Sequence, residues 1–263
     1  MQPINKRYAD TPAGQVHVRE RAGADLPVVL LHQTASSSDT YDEILKAGVG
    51  AHRLIAVDTP GFGGSFDPEG MPAMGDYAGQ VVAALDALEI PRFHLFGHHT
   101  GASLGAEIAV RWPARTASLT LLGPVLMTPD ERTQFRAAYE TPFTPVADGS
   151  HLLSNWRYAS QHNADCDPQI LHREVLNMAR AWKGRAQAYS AVSHQDGDDL
   201  LARVACPILL MSSQTDFFHA QFDRATSLRP DAAVAMVDGG NFAPMLGAQS
   251  IAAALKGFLD GLG

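Results

Sequence analysis

The sequence predicts an α/β protein: a mostly parallel sheet flanked by helices, with a helical cap inserted late in the chain. Three observations predict it. Short continuous apolar runs, such as residues 27–31 and 53–57, suit strands buried on both faces. They alternate with segments of helical periodicity, which implies parallel strands joined by right-handed crossovers. The alternation stops after Gly123-Pro124 and resumes only at residue 208.

Residues 15–20 read as a short strand and 27–31 as the next. Residues 39–46 suit a helix, with Ser37 or Ser38 as its cap. Residues 53–57 form a strand ended by Asp58-Thr59-Pro60-Gly61. Residues 76–88 carry apolar side chains at helical spacing, with Asp76 as the expected cap. A strand over 93–96 enters a glycine-bounded turn, and the following helix runs to Trp112 and stops at Pro113. Residues 118–122 are a strand. From 125 to 202 no clear strand is visible, only helical stretches over 131–139 and 169–182. The expected organisation is therefore a core of 1–124 and 203–263 and a cap of 125–202. A strand over 208–211, a helix over 221–228, a strand over 233–237 and a helix over 250–259 complete the core.

The chain has 263 residues, 46% hydrophobic and 18% charged, which fits a globular protein with one sizeable core. The net charge is −8, and no run of Lys and Arg is present, so nucleic acid is not an expected partner. The polar start and the lack of a long apolar stretch predict no membrane association. Cys166 and Cys206 alone suggest no disulfide framework and a cytoplasmic location. A small molecule is the expected partner; a homo-oligomer is compatible with the sequence.

The segment Phe93-His94-Leu95-Phe96-Gly97-His98-His99-Thr100-Gly101 is the most informative. A strand leads through a tight turn into a helix, and such a turn projects one side chain, at 99, into a site. Together with Leu30-Leu31-His32, Asp58-Thr59-Pro60-Gly61-Phe62-Gly63-Gly64-Ser65 and Gln214-Thr215-Asp216, in that order, it resembles the α/β-hydrolase superfamily over nearly the whole chain. It is similar to a subset with a His-Gln-Thr loop and a G-x-H-T-G elbow.

The resemblance implies a hydrolase fold with a serine, acid and histidine triad, and this chain departs from that twice. His99 stands at the nucleophile elbow. Asp216 matches the acid. Asn241, in Asp238-Gly239-Gly240-Asn241-Phe242, takes the place of the histidine. Asparagine cannot accept a hydroxyl proton at neutral pH, so acyl-serine chemistry lacks both nucleophile and base. Gly101-Ala102-Ser103-Leu104-Gly105 also fits G-x-S-x-G, but no strand directly precedes it and Ser103 falls inside the helix.

A neutral imidazole is already a base near pH 7 and needs no second base. His99 is thus the expected base or nucleophile, oriented by Asp216 or Asn241; the alternative is a ring that only fills space. The Thr100 N–H and a donor from Gln33 or Thr34 would form the oxyanion hole. His32 begins that loop and is expected to hold it. His98 and His99 are expected to point apart and form no metal site. No organic cofactor is expected; the glycines at 61, 63 and 64 precede Asp67-Pro68 rather than a helix. Trp156, Tyr158 and Trp182 are candidates for the pocket wall, Asp130 is the second choice of acid, and His219 lies too close to Asp216 to replace the missing histidine.

The expected function is cofactor-independent chemistry on a small, largely apolar carbonyl compound. Ester, lactone or C–C bond hydrolysis and a lyase or isomerase step all fit. The rivals are a non-catalytic ligand binder and, less favoured, an orthodox serine hydrolase.

Overall fold

A computed structural model describes residues 2–139, 143–161 and 166–262. Eight strands form one sheet: β1 (Ile4–Thr11), β2 (Gly14–Arg21), β3 (Asp25–Leu31), β4 (His52–Val57), β5 (Phe93–His98), β6 (Thr116–Leu122), β7 (Ile208–Ser212) and β8 (Ala233–Met236). Their spatial order is β1-β2-β4-β3-β5-β6-β7-β8. β2 is antiparallel to both β1 and β4, and every later pairing is parallel. The central strands are continuous apolar runs because side chains of both parities are buried. Val29, Leu31, Ile55, Leu95, Leu121 and Leu210 pack on one face against α2 (Met74–Ala87) and α3 (Thr100–Arg111). Val28, Leu30, Leu54, Phe96, Leu122 and Leu209 pack on the other, against residues such as Ile44 and Ile251.

β1 was not expected from the sequence, because most of its residues are exposed and carry no apolar alternation. Ser37 does cap a short turn at Ser38–Tyr41, accepting from the Asp39 N–H, before α1 (Asp42–Ala47). Asp76 is not the first cap of α2. The helix starts one turn earlier, and the Asp76 carboxylate reaches back to the Ala73 N–H at 2.8 Å.

Between β6 and β7 the described residues form five helices: α4 (Pro129–Tyr139), α5 (Ser150–Gln161), α6 (Pro168–Arg180), α7 (Gly184–Ser193) and α8 (Gly197–Arg203). Only α4 and α6 were expected. A separate apolar cluster joins Ala159 of α5 and Leu171, Val175 and Met178 of α6 to Phe62 and Phe242 of the core loops. After β7 come α9 (His219–Leu228), α10 (Ala243–Leu246) and α11 (Ala248–Asp260). Among the described residues no single helix is long and apolar enough to cross a membrane.

Candidate active site

The site begins with the backbone turn from β5 into α3. His99 has φ 48° and ψ −111°, a left-handed conformation rare for a residue with a Cβ. Its N–H donates to Leu122 O at 3.0 Å, and its carbonyl accepts the N–H groups of Ala102 and Ser103. Two glycines permit this geometry. A Cβ on Gly97 would lie 2.2 Å from Gly101 O, and one on Gly101 would lie 2.0 Å from Leu31 O. Gly123, at the end of β6, makes room for the ring: a Cβ there would lie 2.4 Å from His99 Cδ2.

The Asp216 carboxylate comes from the loop after β7. His99 Nε2 lies 2.8 Å from Asp216 Oδ2, and the Phe218 N–H donates to Oδ1 at 2.7 Å. Burial pushes Asp216 up, but the His99 ring and the Phe218 N–H outweigh it and hold the carboxyl at about 2. An ionised carboxylate only accepts, so the neutral His99 ring must carry its proton on Nε2. Nδ1 then holds a lone pair, and among the described residues it makes no hydrogen bond. Phe218 packs edge-on against the ring, with centroids 4.9 Å apart.

His99 lines a partly open cavity. Thr100, Gln33, Thr34 and Asn241 line it too. Asn241 makes no hydrogen bond to His99. Its side-chain oxygen accepts the Phe217 N–H at 2.8 Å, and its carbonyl accepts Gln33 Nε2 at 3.2 Å. It therefore ties the Asp216 loop to the loop after β3.

His32 is outside this cavity and lines a smaller recess next to it. Its Nε2 accepts the Thr59 N–H at 3.1 Å, so Nδ1 donates to Gln33 O at 2.8 Å. Burial lowers its basicity. The Asp58 carboxylate gathers the neighbouring loops through His17 Nδ1, the Ser38 N–H and the Gly64 N–H. Gly63 is obligatory there, because its Cβ would lie 2.0 Å from Asp58 Oδ2.

His98 does not point away from His99, as strand alternation had suggested. The two ring centroids are 4.1 Å apart, and His98 Nε2 is 4.0 Å from Asp216 Oδ2. The physical reason is the turned backbone at 99, which leaves the strand before its side chain can alternate. His98 is fully buried with neither ring nitrogen partnered, and burial lowers its basicity strongly. Ligand atoms of His98, His99 and Asp216 lie within 4.8 Å of one another, so among the described residues these three could hold a metal ion. The His99–Asp216 separation is that of a hydrogen bond, and a 4.0 Å separation from His98 is wide for ligands of one small ion.

Trp156 and Trp182 are not in the cavity wall. Trp156 packs in the apolar cluster of α5 and α6, and Trp182 stacks with Lys183. Tyr158, the third aromatic candidate, does line the cavity, beside Phe135, Tyr139 and Tyr189 of the inserted helices and Phe217, Phe218 and Phe242 of the core loops. Ser103 lies in α3 and lines a different recess; Asp130 is exposed on α4; His219 Nδ1 pairs with Ser212 Oγ. Two contributors escaped the sequence reading. Gly123 had a signal, as a glycine ending a strand beside the elbow. Glu174 had one too: with Leu171, Val175 and Met178 it sits on the buried stripe of α6.

A model of the alpha/beta hydrolase family matches residues 28–254. The chain belongs to this family. Among sequence relatives of this hydrolase-family chain, a fluoroacetate dehalogenase from Burkholderia is 24% identical over 91% of the chain and 88% of its own. An Escherichia coli 2-hydroxy-6-oxononadienedioate/2-hydroxy-6-oxononatrienedioate hydrolase is 29% identical over 41% of the chain and 40% of its own. The first relatives are thus spanned over about two-fifths of their length (41% and 40%). Among solved structures, a thermophilic esterase from Thermogutta terrifontis superposes with a TM-score of 0.80 at 20% identity, covering 98% of this chain and 99% of the esterase. The N-acyl homoserine lactonase AidH superposes at 0.77 with 22% identity, covering 99% and 98%. At these identities the structural likeness shows the fold.

Proposed function

We propose that this family member is an enzyme acting without metal or organic cofactor on a small carbonyl compound, with His99 in the place of the usual serine. The observation that carries the reading is the His99–Asp216 pair at 2.8 Å, with Nδ1 left for the cavity. Asp216 fixes the proton on Nε2, and Nδ1 takes a proton from a ligand carbon acid or from an attacking water. Direct attack of Nδ1 on an ester or lactone carbonyl is the second route: the N–acyl bond forms, the C–O bond to the alkoxide breaks, the alkoxide takes the Nε2 proton by way of water, and a second water then hydrolyses the acyl-imidazole. The Thr100 N–H, in the first turn of α3 and without a backbone acceptor among the described residues, would stabilise the developing oxyanion with a donor from Gln33 or Thr34. The relatives support hydrolytic chemistry as the starting class, ester, lactone or C–C cleavage, and a lyase or isomerase step uses the same base. A residue range of 125–202 acting as a cap belongs to this reading: Phe135, Tyr139, Tyr158, Tyr189 and Val192 supply its share of the cavity wall.

The test is a panel of activated esters, lactones and β-diketones with the wild-type protein and His99→Ala. A positioned base is worth about 10²–10⁴ in kcat, and the variant is expected to lose that much. A fluorophosphonate probe of serine hydrolases is expected to leave the intact mass unchanged. Full kcat in His99→Ala, or an adduct on Ser103, overturns the reading. Binding without turnover in both proteins favours the ligand-binder alternative.

A further inference from the structure

We propose that Glu174 makes one wall of the ligand cavity a receptor for a protonated amine, so that the ligand carries an ammonium group apart from its carbonyl. The proposal shares with the preceding reading the cavity as ligand site, and it is independent of what His99 does there.

Glu174 is 1% exposed and lines the same cavity as His99. His99 enters from the sheet and Glu174 from α6, on different walls. The carboxyl accepts from Ser36 Oγ at 3.1 Å and from the Asn177 side chain. A carboxylate offers about four acceptor sites, so two hydrogen bonds leave capacity for a ligand. Among the described residues Glu174 makes no ion pair. Arg173, its neighbour in sequence, bonds instead to Met245 Sδ. Asp39 adds a second negative charge from the loop side, where its carboxylate accepts Asn177 Nδ2 at 2.9 Å.

A buried carboxylate without a direct ion-pair partner is costly, and a ligand ammonium in contact with it supplies one. Burial, and then Asp39, push the Glu174 carboxyl up to about 7, while Arg173 and the two hydrogen bonds act against them. Phe135 and Tyr139 of α4 line the same cavity and add no negative or positive charge to it. Tyr158 already carries the Arg185 guanidinium 4.4 Å from its centroid, which keeps the ligand cation to the Glu174 side. A ligand carboxylate at this wall would meet like charge.

The test is calorimetric titration of the full chain with n-hexylamine, 1-hexanol and hexanoate at about pH 8, where Glu174 is ionised. Hexylammonium is expected to bind about 10-fold more tightly than hexanol, the worth of one pKa unit of coupling, and hexanoate more weakly than either. The preference is expected to vanish near pH 5.5 in the wild-type protein, a comparison that needs no variant. Glu174→Gln is expected to remove it at every pH, Glu174→Asp to keep part of it, and His99→Ala to keep it whole. Failure of hexylamine to bind, parity with hexanol at pH 8, tighter binding of hexanoate, or a preference surviving Glu174→Gln overturns the proposal. An intact preference without turnover of any carbonyl compound defeats only the proposed function. Turnover without the preference defeats only this inference.

Discussion

His99 is gripped at one nitrogen and free at the other, and the grip is what gives the free nitrogen its lone pair. Asp216, held at about 2, is ionised throughout the neutral range and accepts from Nε2. Asp216→Asn replaces an obligate acceptor with a group that also donates, so the ring can take the other tautomer. We expect kcat to fall about 10²–10⁴-fold with KM little changed, measured by steady-state kinetics on the first active substrate. Glu174, at about 7, is the cavity carboxyl that titrates near neutrality, and a pH dependence of turnover that disappears in Glu174→Gln belongs to that carboxyl. His98 contributes no charge: fully buried and kept neutral, it backs the His99 ring.

At the scale of elements, the strand-to-helix turn depends on three positions where even a methyl group does not fit. Gly123→Ala is the informative one, because its clash is with the His99 ring rather than with backbone. The fold is expected to survive with a loss of about 1–3 kcal/mol, the usual cost of overpacking, while kcat falls further than stability explains. Thermal unfolding and kinetics on the same sample separate the two. Much of this region was legible in the sequence, because Gly97, Gly101 and the apolar strand before them leave few other structures open. The central strands were legible for the same reason. β1 was not, since an exposed edge strand shows no apolar pattern, and α7 was not, since it is buried all round and its small residues hide any stripe. The start of α2 was missed because Asp76 works from inside the first turn. The closeness of His98 and His99 was hidden because strand periodicity fails at a residue that has left the strand. Of the three aromatic candidates for the cavity wall, Tyr158 lines it and Trp156 and Trp182 do not, because helical periodicity does not say which neighbour a stripe will face.

At the scale of the whole molecule, the buried carboxyls pull stability in opposite directions with pH. Glu174 has a folded pKa of about 7, above its unfolded value, so its contribution is full below about 4.5 and is lost as pH rises through 7. Asp58 and Asp216 are held at about 2, so their contribution is present above about 4 and is lost as the pH falls toward 2. Glu174→Gln should therefore raise the Tm at pH 8 relative to the wild-type protein more than at pH 5, as read by circular dichroism melts. An equal change at both values would mean that Glu174 is not ionising inside the fold. The placement of Asp216 has one more consequence. Asn241 bonds to the Phe217 N–H, one residue from Asp216, so position 241 is tied to the loop that carries the acid. An imidazole arriving from either position finds the same negative charge waiting. His99→Ser with Asn241→His moves the ring from one position to the other, and a fluorophosphonate adduct on the double variant would show the exchange.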